Sequence, residues 1–520
     1  MPRVKREGSE EARAPKRVRG KNRTGGDVAS LLKLHGIQAR AVVNVAWPEA
    51  GRASLVETDV GPEAAFLART PTRDKLVDVA WRPPVHWNAW QETPEPVRRR
   101  MELRNAAPIP LSVGSEAVHL APYEAVSLPD PKSDRKVHLL DTGGHIYDMA
   151  WAPQADADNA EWLAIARAPD RTTRSLVDAP LLGGDIQIWK FPLHQSTPTL
   201  HVVLESEGGT PLRLAWQPEQ TGGLGVLAAT YADGSVRIMR VPDEEAPTGI
   251  AADDVRVLRL ASACFSLDWQ GDRLATGCVN GDVAVWDVAS DLPLVHAPVH
   301  DTLVSAVRWQ ALPPVTTDGI PDAAQQPTTL LTLGWDGTEL ISDVHSMYTP
   351  VRLAHTREPR YAAAWAPYGG LFAVDLGDNH FGSVSLRTHD VGQHHALGFH
   401  HGRITALAAS SCHPYVASGA TDGSVKFTNV LGAGKRKTED GSRAMHKSFR
   451  LSFKDARYIL EDTFYPEGVW PQTATKTAPP FWHEWDASVA ITALAYSPNP
   501  ARALLLASGT ALGMARIEWI

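Results

Sequence analysis

The sequence predicts an all-β fold, a seven-bladed β-propeller, on three observations. One unit of three strands recurs seven times along the chain, with a Gly-containing turn between its second and third strands. The third strand of most copies alternates apolar and polar residues with the period of two that half-buried antiparallel strands show. Each copy of such a repeat adds its own layer of core, so a chain of 520 residues can fold as a single ring.

The first strand of the unit is an alternating run that ends in an aromatic residue, often with Pro two positions later. The run 146–153 reads Ile-Tyr-Asp-Met-Ala-Trp-Ala-Pro. We expect the aromatic side chains to fill the wedge between neighbouring blades. The copies end at Trp151, Trp216, Trp269, Trp309 and Trp365, and two weaker copies end at Ala409 and Tyr496.

The second strand consists of small residues, as in 274–277 (Leu-Ala-Thr-Gly), 416–419 (Val-Ala-Ser-Gly) and 506–509 (Leu-Ala-Ser-Gly). Strands nearest the axis of a propeller are crowded, so we expect these small side chains to lie there. The third strand follows, for example as Val283-Ala284-Val285-Trp286.

The turn between the second and third strands is Asp-Gly or Asn-Gly in four copies. Both central positions of a two-residue hairpin turn require a positive φ, which these residues tolerate, so the sequence predicts tight hairpins. The four turns are Asp233-Gly234, Asn280-Gly281, Asp336-Gly337 and Asp422-Gly423.

The final copy stops at Ile520 after its third strand, which would leave an open edge. The run 136–140 (Lys-Val-His-Leu-Leu) lies before the first repeat and has no blade of its own. Open strand edges promote aggregation, so we expect this N-terminal strand to pair with the last blade and close the ring.

The sequence divides into three predicted regions. Residues 1–30 form a disordered basic tail, residues 31–130 a lead segment packed on the propeller, and residues 131–520 the propeller, with a long insertion at 430–488. The runs 42–48 and 76–83 in the lead segment imitate the first strand of a blade, so an eighth blade is the alternative for this region.

Charge is distributed unevenly along the chain. Residues 1–26 contain nine Lys or Arg and three Glu, a net charge of +6; because the whole chain carries −8, the remainder carries −14. The run 16–19 (Lys-Arg-Val-Arg) fits a short basic nuclear-import signal, and the wider run 15–21 fits, less closely, a DNA minor-groove hook without the Arg-Gly-Arg-Pro core. A solvated arm is the third interpretation of this tail.

The sequence favours neither an enzyme nor a metal or cofactor site. Residues 432–435 (Gly-Ala-Gly-Lys) resemble the end of a phosphate-binding loop but lack its leading Gly and its final hydroxyl residue. The pairs His394-His395 and His400-His401 have no carboxylate or Cys at ligand spacing. The three Cys form no metal-binding or disulfide framework, which suits a reducing compartment. No apolar stretch is long enough to span a membrane, and no signal peptide is predicted.

The repeat resembles the WD-repeat family, over residues 143–519. The Trp-Asp pair that gives the family its name survives at Trp286-Asp287. His300 and His401 lie where the family often places a His before the first strand of a blade. The resemblance implies a β-propeller that binds other proteins.

The first and last repeats carry a closer resemblance. Residues 143–153 follow a lead strand, residues 491–519 end almost at the final residue, and a basic extension precedes the propeller. These features resemble the WD-repeat subunit of transcription factor IIIC (TFIIIC) in its B-box-binding half. The resemblance implies a nuclear, non-catalytic scaffold subunit that pairs with a second propeller subunit, supports binding to tRNA-gene promoters and promotes RNA polymerase III transcription.

Under this resemblance, DNA and partner contacts fall on particular residues. An acidic propeller body is unsuited to phosphate contact, so DNA contact is expected from the basic tail and from a basic run in the insertion; these residues are Lys16, Arg17, Arg19, Lys21, Arg23, Lys435, Arg436 and Lys437. Large aromatic residues of the insertion are expected to bind the partner subunit or, alternatively, to pack on the propeller; the candidates are Trp470, Trp482 and Trp485.

Two other functions remain open. The protein would be a nuclear chromatin scaffold if its axial face bound histone tails, which an acidic axial pocket would favour. A cytoplasmic assembly scaffold without nucleic acid is the third class.

Overall fold

A computed structural model describes residues 106–114, 116–129, 136–153, 160–171, 183–192, 197–205, 208–218, 224–242, 246–251, 255–288, 292–312, 325–386, 392–430, 445–461, 465–467 and 485–520. This part of the chain is all-β, apart from three short 3-10 helices at Val344–Ser346, Ala487–Val489 and Pro500–Arg502. No helix within it is long and apolar enough to cross a membrane.

Four strands precede the repeats: β1 (Ile109–Val113), β2 (Glu116–Leu120), β3 (Ala125–Pro129) and β4 (Lys136–Asp141). The first half of the repeats supplies β5 (Ile146–Trp151), β6 (Glu161–Arg167), β7 (Asp185–Phe191), β8 (Thr199–Glu205), β9 (Pro211–Trp216), β10 (Gly225–Tyr231), β11 (Val236–Val241), β12 (Ala246–Ala251), β13 (Val255–Leu258), β14 (Cys264–Gln270), β15 (Arg273–Cys278), β16 (Asp282–Asp287) and β17 (Pro293–Pro298).

The second half supplies β18 (Val304–Trp309), β19 (Thr329–Gly334), β20 (Thr338–Asp343), β21 (Val351–His355), β22 (Ala363–Ala366), β23 (Leu371–Gly377), β24 (His380–Ser385), β25 (His394–Phe399), β26 (Ile404–Ala408), β27 (Tyr415–Ala420), β28 (Ser424–Asn429), β29 (Met445–Lys454), β30 (Arg457–Glu461), β31 (Tyr465–Glu467), β32 (Ile491–Tyr496), β33 (Leu505–Thr510) and β34 (Met514–Trp519).

These strands pair into seven sheets, each of which starts at an inner strand. The inner strands are β5, β9, β14, β18, β22, β26 and β32; each lies beside the inner strands of two neighbouring sheets, and β32 returns to β5. The described chain is therefore a β-propeller, and the prediction of an all-β propeller is confirmed.

The first strand of each unit, and not the second as predicted, lies nearest the axis. The side chains of the second strands are small because neighbouring sheets cover both faces of these strands. Every residue of β27 and β33 is buried. A Cβ on Gly277 would come within 2.5 Å of Val304, and one on Gly419 within 2.4 Å of Ile491, the residues that begin the next inner strands. Close contact between sheets thus explains the Gly.

The aromatic residues at the ends of the inner strands fill the wedges between sheets, as predicted. Trp151, Trp216 and Trp309 are buried. Their indole N–H groups donate to backbone carbonyls of the preceding inner strand, at 3.1 Å for Trp151, 3.0 Å for Trp216 and 3.3 Å for Trp309. One side chain thus both packs and joins two sheets.

The Asp-Gly turns differ from the predicted two-residue hairpins, because only their Gly has a positive φ. In the turn at 231–235, the N–H of Gly234 donates to the carbonyl of Tyr231, and Gly234 has φ 81°. This pattern is a type I turn followed by a left-handed Gly. The Asp233 carboxylate accepts the N–H of Ser235 at 2.9 Å, which explains why an acidic residue precedes the Gly.

The N-terminal strand closes the ring, as predicted. Strand β4 pairs antiparallel with β34, with Leu140 opposite Ala515 and Leu139 opposite Arg516. Asp141 at its end is buried and receives two hydrogen bonds from Arg171, at 2.7 and 2.8 Å. The last sheet is therefore completed by residues that are distant in sequence.

The described part of the insertion 430–488 contains strands. Strand β29 lies within it and pairs with β28 as the fourth strand of that sheet, and β30 and β31 pair with β29. Residues 431–444, 462–464 and 468–484 of the insertion lie outside the described residues.

The end of the lead segment also contributes strands. β1 pairs in parallel with β30 and antiparallel with β2, while β3 pairs with β4, so residues 109–129 extend two sheets of the propeller. These three strands form no separate sheet, which argues against an eighth blade made from them. The division at 1–30, 31–130 and 131–520 otherwise stays a prediction, because residues 1–105 lie outside the described residues.

Buried histidines predict a loss of stability in acid. Burial lowers the pKa of His413 to about 3, and its Nδ1 accepts the N–H of Tyr415 at 3.2 Å, so the folded protein holds the ring neutral. The folded pKa is below the unfolded one, so this stability is present above pH about 6.5 and is lost as pH falls towards the folded value.

We expect the free energy of unfolding of His413→Gln to fall less steeply between about pH 6 and pH 4 than that of the unmodified chain, by up to about 1.4 kcal/mol per pH unit. Urea titrations at a series of pH values measure this slope. The exposed His355, replaced in the same way, is the control. Equal slopes for His413→Gln and the unmodified chain would contradict the assignment.

Candidate functional site

Most of the predicted contact residues lie outside the described residues. This holds for the basic positions Lys16, Arg17, Arg19, Lys21, Arg23, Lys435, Arg436 and Lys437, and for Trp470 and Trp482. Their proposed roles therefore stay predictions.

Trp485 is the one predicted contact residue that the described part of the chain includes. It is half-buried, with the guanidinium of Arg450 over its ring at 4.5 Å from the centroid. Its indole N–H donates to the carbonyl of His401 at 3.3 Å. Trp485 thus packs on its own scaffold, the alternative that the sequence left open, and its role towards a partner stays a prediction.

A cavity of about 390 Å³, called the axial cavity below, lies between five of the seven inner strands, β5, β9, β14, β18 and β32. Two indole rings, those of Trp151 and Trp216, and the prolines that follow the inner strands, Pro153, Pro218 and Pro498, line it. The two Trp residues end their strands, and the three prolines follow strand ends. The cavity therefore lies at the face where the first strand of each unit turns into the second.

Four charged side chains also line this cavity, on four successive inner strands: Asp148, Arg213, Asp268 and Arg308. None of the four was predicted from the sequence. The sequence does mark them, because these charged residues lie one or three positions before the terminal Trp of a strand. Other copies have Ala there, as at Ala150.

The two carboxylates are held by backbone N–H groups. Asp148 accepts the N–H of Met149 at 3.0 Å and that of Leu214 on the neighbouring strand at 2.9 Å. Asp268 accepts the N–H of Trp309 at 2.7 Å. Burial raises the pKa of Asp148, opposed by Arg213, and raises that of Asp268, opposed by Arg308.

The two guanidinium groups bind backbone carbonyls. Nη1 of Arg213 donates to Tyr147 at 3.0 Å and to Leu212 at 3.1 Å. Nε of Arg308 donates to Ala363 at 2.9 Å, in the next sheet. Burial lowers the pKa of Arg213, and the Asp148 carboxylate opposes that shift. These residues therefore join adjacent inner strands and place two positive and two negative charges around one cavity.

The arrangement suits binding, because backbone atoms fix each of the four charged groups in place. Within the described ranges, no group of three or more His, Cys, Asp or Glu is placed to hold a metal ion.

Buried His networks mark two of the repeats. Nδ1 of His400 lies 3.0 Å from Oγ of Ser424, and its Nε2 lies 2.8 Å from Oγ of Ser418. The ring also lies against Asp422, whose pKa it lowers against the effect of burial. The same pattern joins His300 to Asp336, at 3.2 Å. His300 is thus placed as the sequence predicted, whereas His400, not His401, has this position in the later repeat.

Comparisons with known proteins agree with this geometry. Residues 393–429 match the family described as WD domain, G-beta repeat, and this range includes β25 to β28 with the His400 network. The chain is 23% identical to the Periodic tryptophan protein 2 homolog of Caenorhabditis elegans over 237 residues, which cover 45% of this chain and 24% of that protein.

A second relative covers more of the chain. The chain is 24% identical over 401 residues to Transcription factor tau subunit sfc6 of Schizosaccharomyces pombe, a TFIIIC subunit. The match covers 73% of this chain and 64% of that subunit, so the chain spans less than two thirds of the relative's length. The described chain is thus a β-propeller that contains a match to the WD-repeat family and resembles a subunit of TFIIIC, as the sequence predicted.

Proposed function

We propose that the protein is a non-catalytic scaffold subunit of a TFIIIC-type transcription factor and acts in the nucleus. The similarity to the tau subunit along 73% of the chain carries this proposal. We propose further that it pairs with a second propeller subunit, supports binding of the factor to the B box of tRNA genes and thereby promotes RNA polymerase III transcription. We assign no cofactor to it.

Affinity purification of the tagged chain from nuclear extract tests this proposal. We expect the other subunits of such a factor, including a second propeller protein, among the co-purifying chains. Recovery of histones, or of cytoplasmic assembly proteins, in their place would contradict it.

We propose that the seven sheets are the seven blades of the ring. The support is that the inner strands form one closed circuit in which every strand has two neighbours. The closing strand β4 then completes the last blade in a propeller that displays loops on both faces for partner subunits.

DNA contact is proposed for the basic tail. The body of the chain is acidic, whereas phosphate contact requires Lys and Arg. The tail positions Lys16, Arg17, Arg19, Lys21 and Arg23, together with 435–437, supply the positive charge.

Deleting residues 1–26 is expected to weaken the assembled factor's binding to promoter and random duplexes about equally, because Lys and Arg side chains contact phosphates irrespective of the base sequence. The salt dependence should flatten by about one unit of slope for each phosphate that the tail no longer neutralises. Binding to both duplexes across a salt series, with and without the tail, measures this.

Identical salt slopes would exclude DNA contact by the tail. In that case, replacing Lys16, Arg17 and Arg19 with Ala should exclude the protein from the nucleus. If neither the slope nor the localisation changes, the tail is a solvated arm.

Partner binding is proposed for the aromatic residues of the insertion. We expect Trp470→Ala or Trp482→Ala to weaken binding of the partner subunit by more than about 1 kcal/mol, because buried Trp residues often dominate interfaces. Trp485→Ala is the comparison, because the ring of Trp485 already packs against Arg450. We expect this variant to lose more thermal stability than Trp470→Ala or Trp482→Ala. Unchanged affinity with lower melting temperatures for all three would assign the aromatics to packing.

The axial cavity does not favour a histone-tail reader. Two arginines line it beside the two carboxylates, so it lacks the acidic excess that a Lys-rich tail would need. The scaffold function is therefore the better supported of the two.

A further inference from the structure

Two of the three cysteines of the chain face each other inside the propeller. Cys264 begins β14 and Cys278 ends β15, and the two residues lie directly opposite each other in the antiparallel register. Their sulfur atoms are 3.8 Å apart, and both residues are buried. The sequence predicted no disulfide framework, whereas the β14–β15 hairpin brings together two cysteines that are 14 positions apart.

The backbone around this pair is of the kind that admits a disulfide. The N–H of Val279 donates to the carbonyl of Ala263 at 2.9 Å. The N–H of Cys264 donates to Gly234 of the neighbouring sheet at 3.0 Å, and not to Cys278. The two cysteines are therefore a non-hydrogen-bonded pair, whose Cα atoms lie about 4.5 Å apart in antiparallel sheets. Disulfides span Cα separations of about 4.4–6.8 Å, so rotation of the two side chains is enough to join the sulfur atoms.

The pair lies one residue below the surface. Ala263 precedes Cys264 and Val279 follows Cys278, and both of these neighbours are exposed, Val279 to 46%. The sulfur atoms are thus shielded from bulky reagents but lie close to solvent. This depth favours a small oxidant of the peroxide class as the co-reactant.

The two thiols differ in acidity. The hydrogen bond with Cys278 lowers the pKa of the Cys264 thiol against the effect of burial, and a hydrogen bond with Thr276 lowers it further. The contact between the two thiols and burial both raise the pKa of Cys278. The thiolate is the reactive form of cysteine, so Cys264 reacts first with an oxidant and Cys278 reacts second.

We propose that Cys264 and Cys278 are a redox-modification site, which a peroxide converts from two thiols into a disulfide that staples β14 to β15. The Cys264 sulfur attacks one oxygen of hydrogen peroxide, the O–O bond breaks, and the departing hydroxide leaves with the thiol proton as water. The Cys278 sulfur then displaces the hydroxyl of the sulfenic acid, which leaves with the second thiol proton. Two thiols and one hydrogen peroxide thus give one disulfide and two waters.

A reducing compartment keeps such a pair as thiols, so the disulfide forms when peroxide is present. This site is independent of the proposed membership in a TFIIIC-type factor, because it follows from the β14–β15 hairpin alone.

Peptide mapping of the folded full chain tests the site. The chain is treated with hydrogen peroxide, and its remaining thiols are alkylated in denaturant. Trypsin then cleaves after Arg273, which separates Cys264 from Cys278. We expect the peptides 260–273 and 274–308 to stay joined until dithiothreitol is added, and the number of alkylated cysteines to fall from three to one. Two separate alkylated peptides, or a bond from either cysteine to Cys412, would overturn the proposal.

Two variants identify the reacting sulfur atoms. Cys412→Ser, which changes the buried cysteine of another sheet, is the matched control and should leave the cross-link unchanged. Cys278→Ser should stop the reaction at a sulfenic acid on Cys264, which dimedone labels. Labelling of Cys412 as strong as that of Cys264 in this variant would overturn the order of the reaction. If Cys278→Ser does not fold, the peptide map of the unmodified chain decides alone.

Thermal unfolding is the second readout. A disulfide between residues 14 positions apart restricts the unfolded chain, so the oxidised protein should melt at a higher temperature than the reduced one. Dithiothreitol should reverse this shift, and the oxidised Cys412→Ser chain should show it in full. A lower melting temperature for the oxidised chain would overturn the role of the disulfide as a staple.

Discussion

Deleting residues 1–142 is expected to produce a chain that aggregates, whereas deletion of 1–130 should leave a soluble propeller of lower stability. The longer deletion removes β4, and with it the pairing of Leu139 and Leu140 against β34. Both side chains are fully buried, and burial of one Leu contributes about 1.5–3 kcal/mol. The open edge of β34 would also be free to pair with other chains.

Light scattering and thermal unfolding of the two truncated proteins measure the effect. The shorter deletion is the control, because it removes β1 to β3 but keeps the closing strand. Equal solubility and equal melting temperatures for the two proteins would show that β4 does not hold the ring together.

Local sequence patterns predicted the strands of the repeat well, for a physical reason. The period of two and the terminal aromatic residue reflect contacts that every unit makes with its neighbours, so they recur in the sequence. Trp151 and Trp216 accordingly lie where the pattern places them. The order of strands from the axis does not follow from the pattern, because small residues suit either a crowded axis or a strand covered on both faces.

Features that depend on one particular contact were harder to predict. Strand β29 pairs with β28 across residues 431–444, and no repeat pattern in the sequence marks it. The charges of the axial cavity come from four separate units and converge only in the closed ring. His400 and His401 are adjacent, and only the position of Ser418 on the next strand shows which ring is buried in the network.

A buried ion pair between two adjacent strands is the second feature with a large expected effect. Arg167 on β6 lies directly opposite Asp185 on β7, and both are 3% exposed. The guanidinium donates to both carboxylate oxygens, through Nε at 2.8 Å and through Nη2. Burial opposes ionisation, but the Asp185 carboxylate outweighs it and raises the pKa of Arg167. The ring of Tyr123, between β2 and β3, lies under the same guanidinium at 5.5 Å.

Replacing Arg167 with Met should lower the free energy of unfolding by about 3–5 kcal/mol, because Asp185 is then a buried charge without its partner. The double variant Arg167→Met, Asp185→Leu should lose less than the single variant, since no isolated charge remains. Arg259→Met, which breaks an exposed ion pair with Asp233, is the matched control and should cost no more than about 1 kcal/mol. Urea denaturation of the three variants measures these differences. A loss of unfolding free energy in Arg167→Met as small as that in Arg259→Met would mean that water reaches Asp185. The contact of Tyr123 with Arg167, between the lead segment and the propeller, would then be open to solvent.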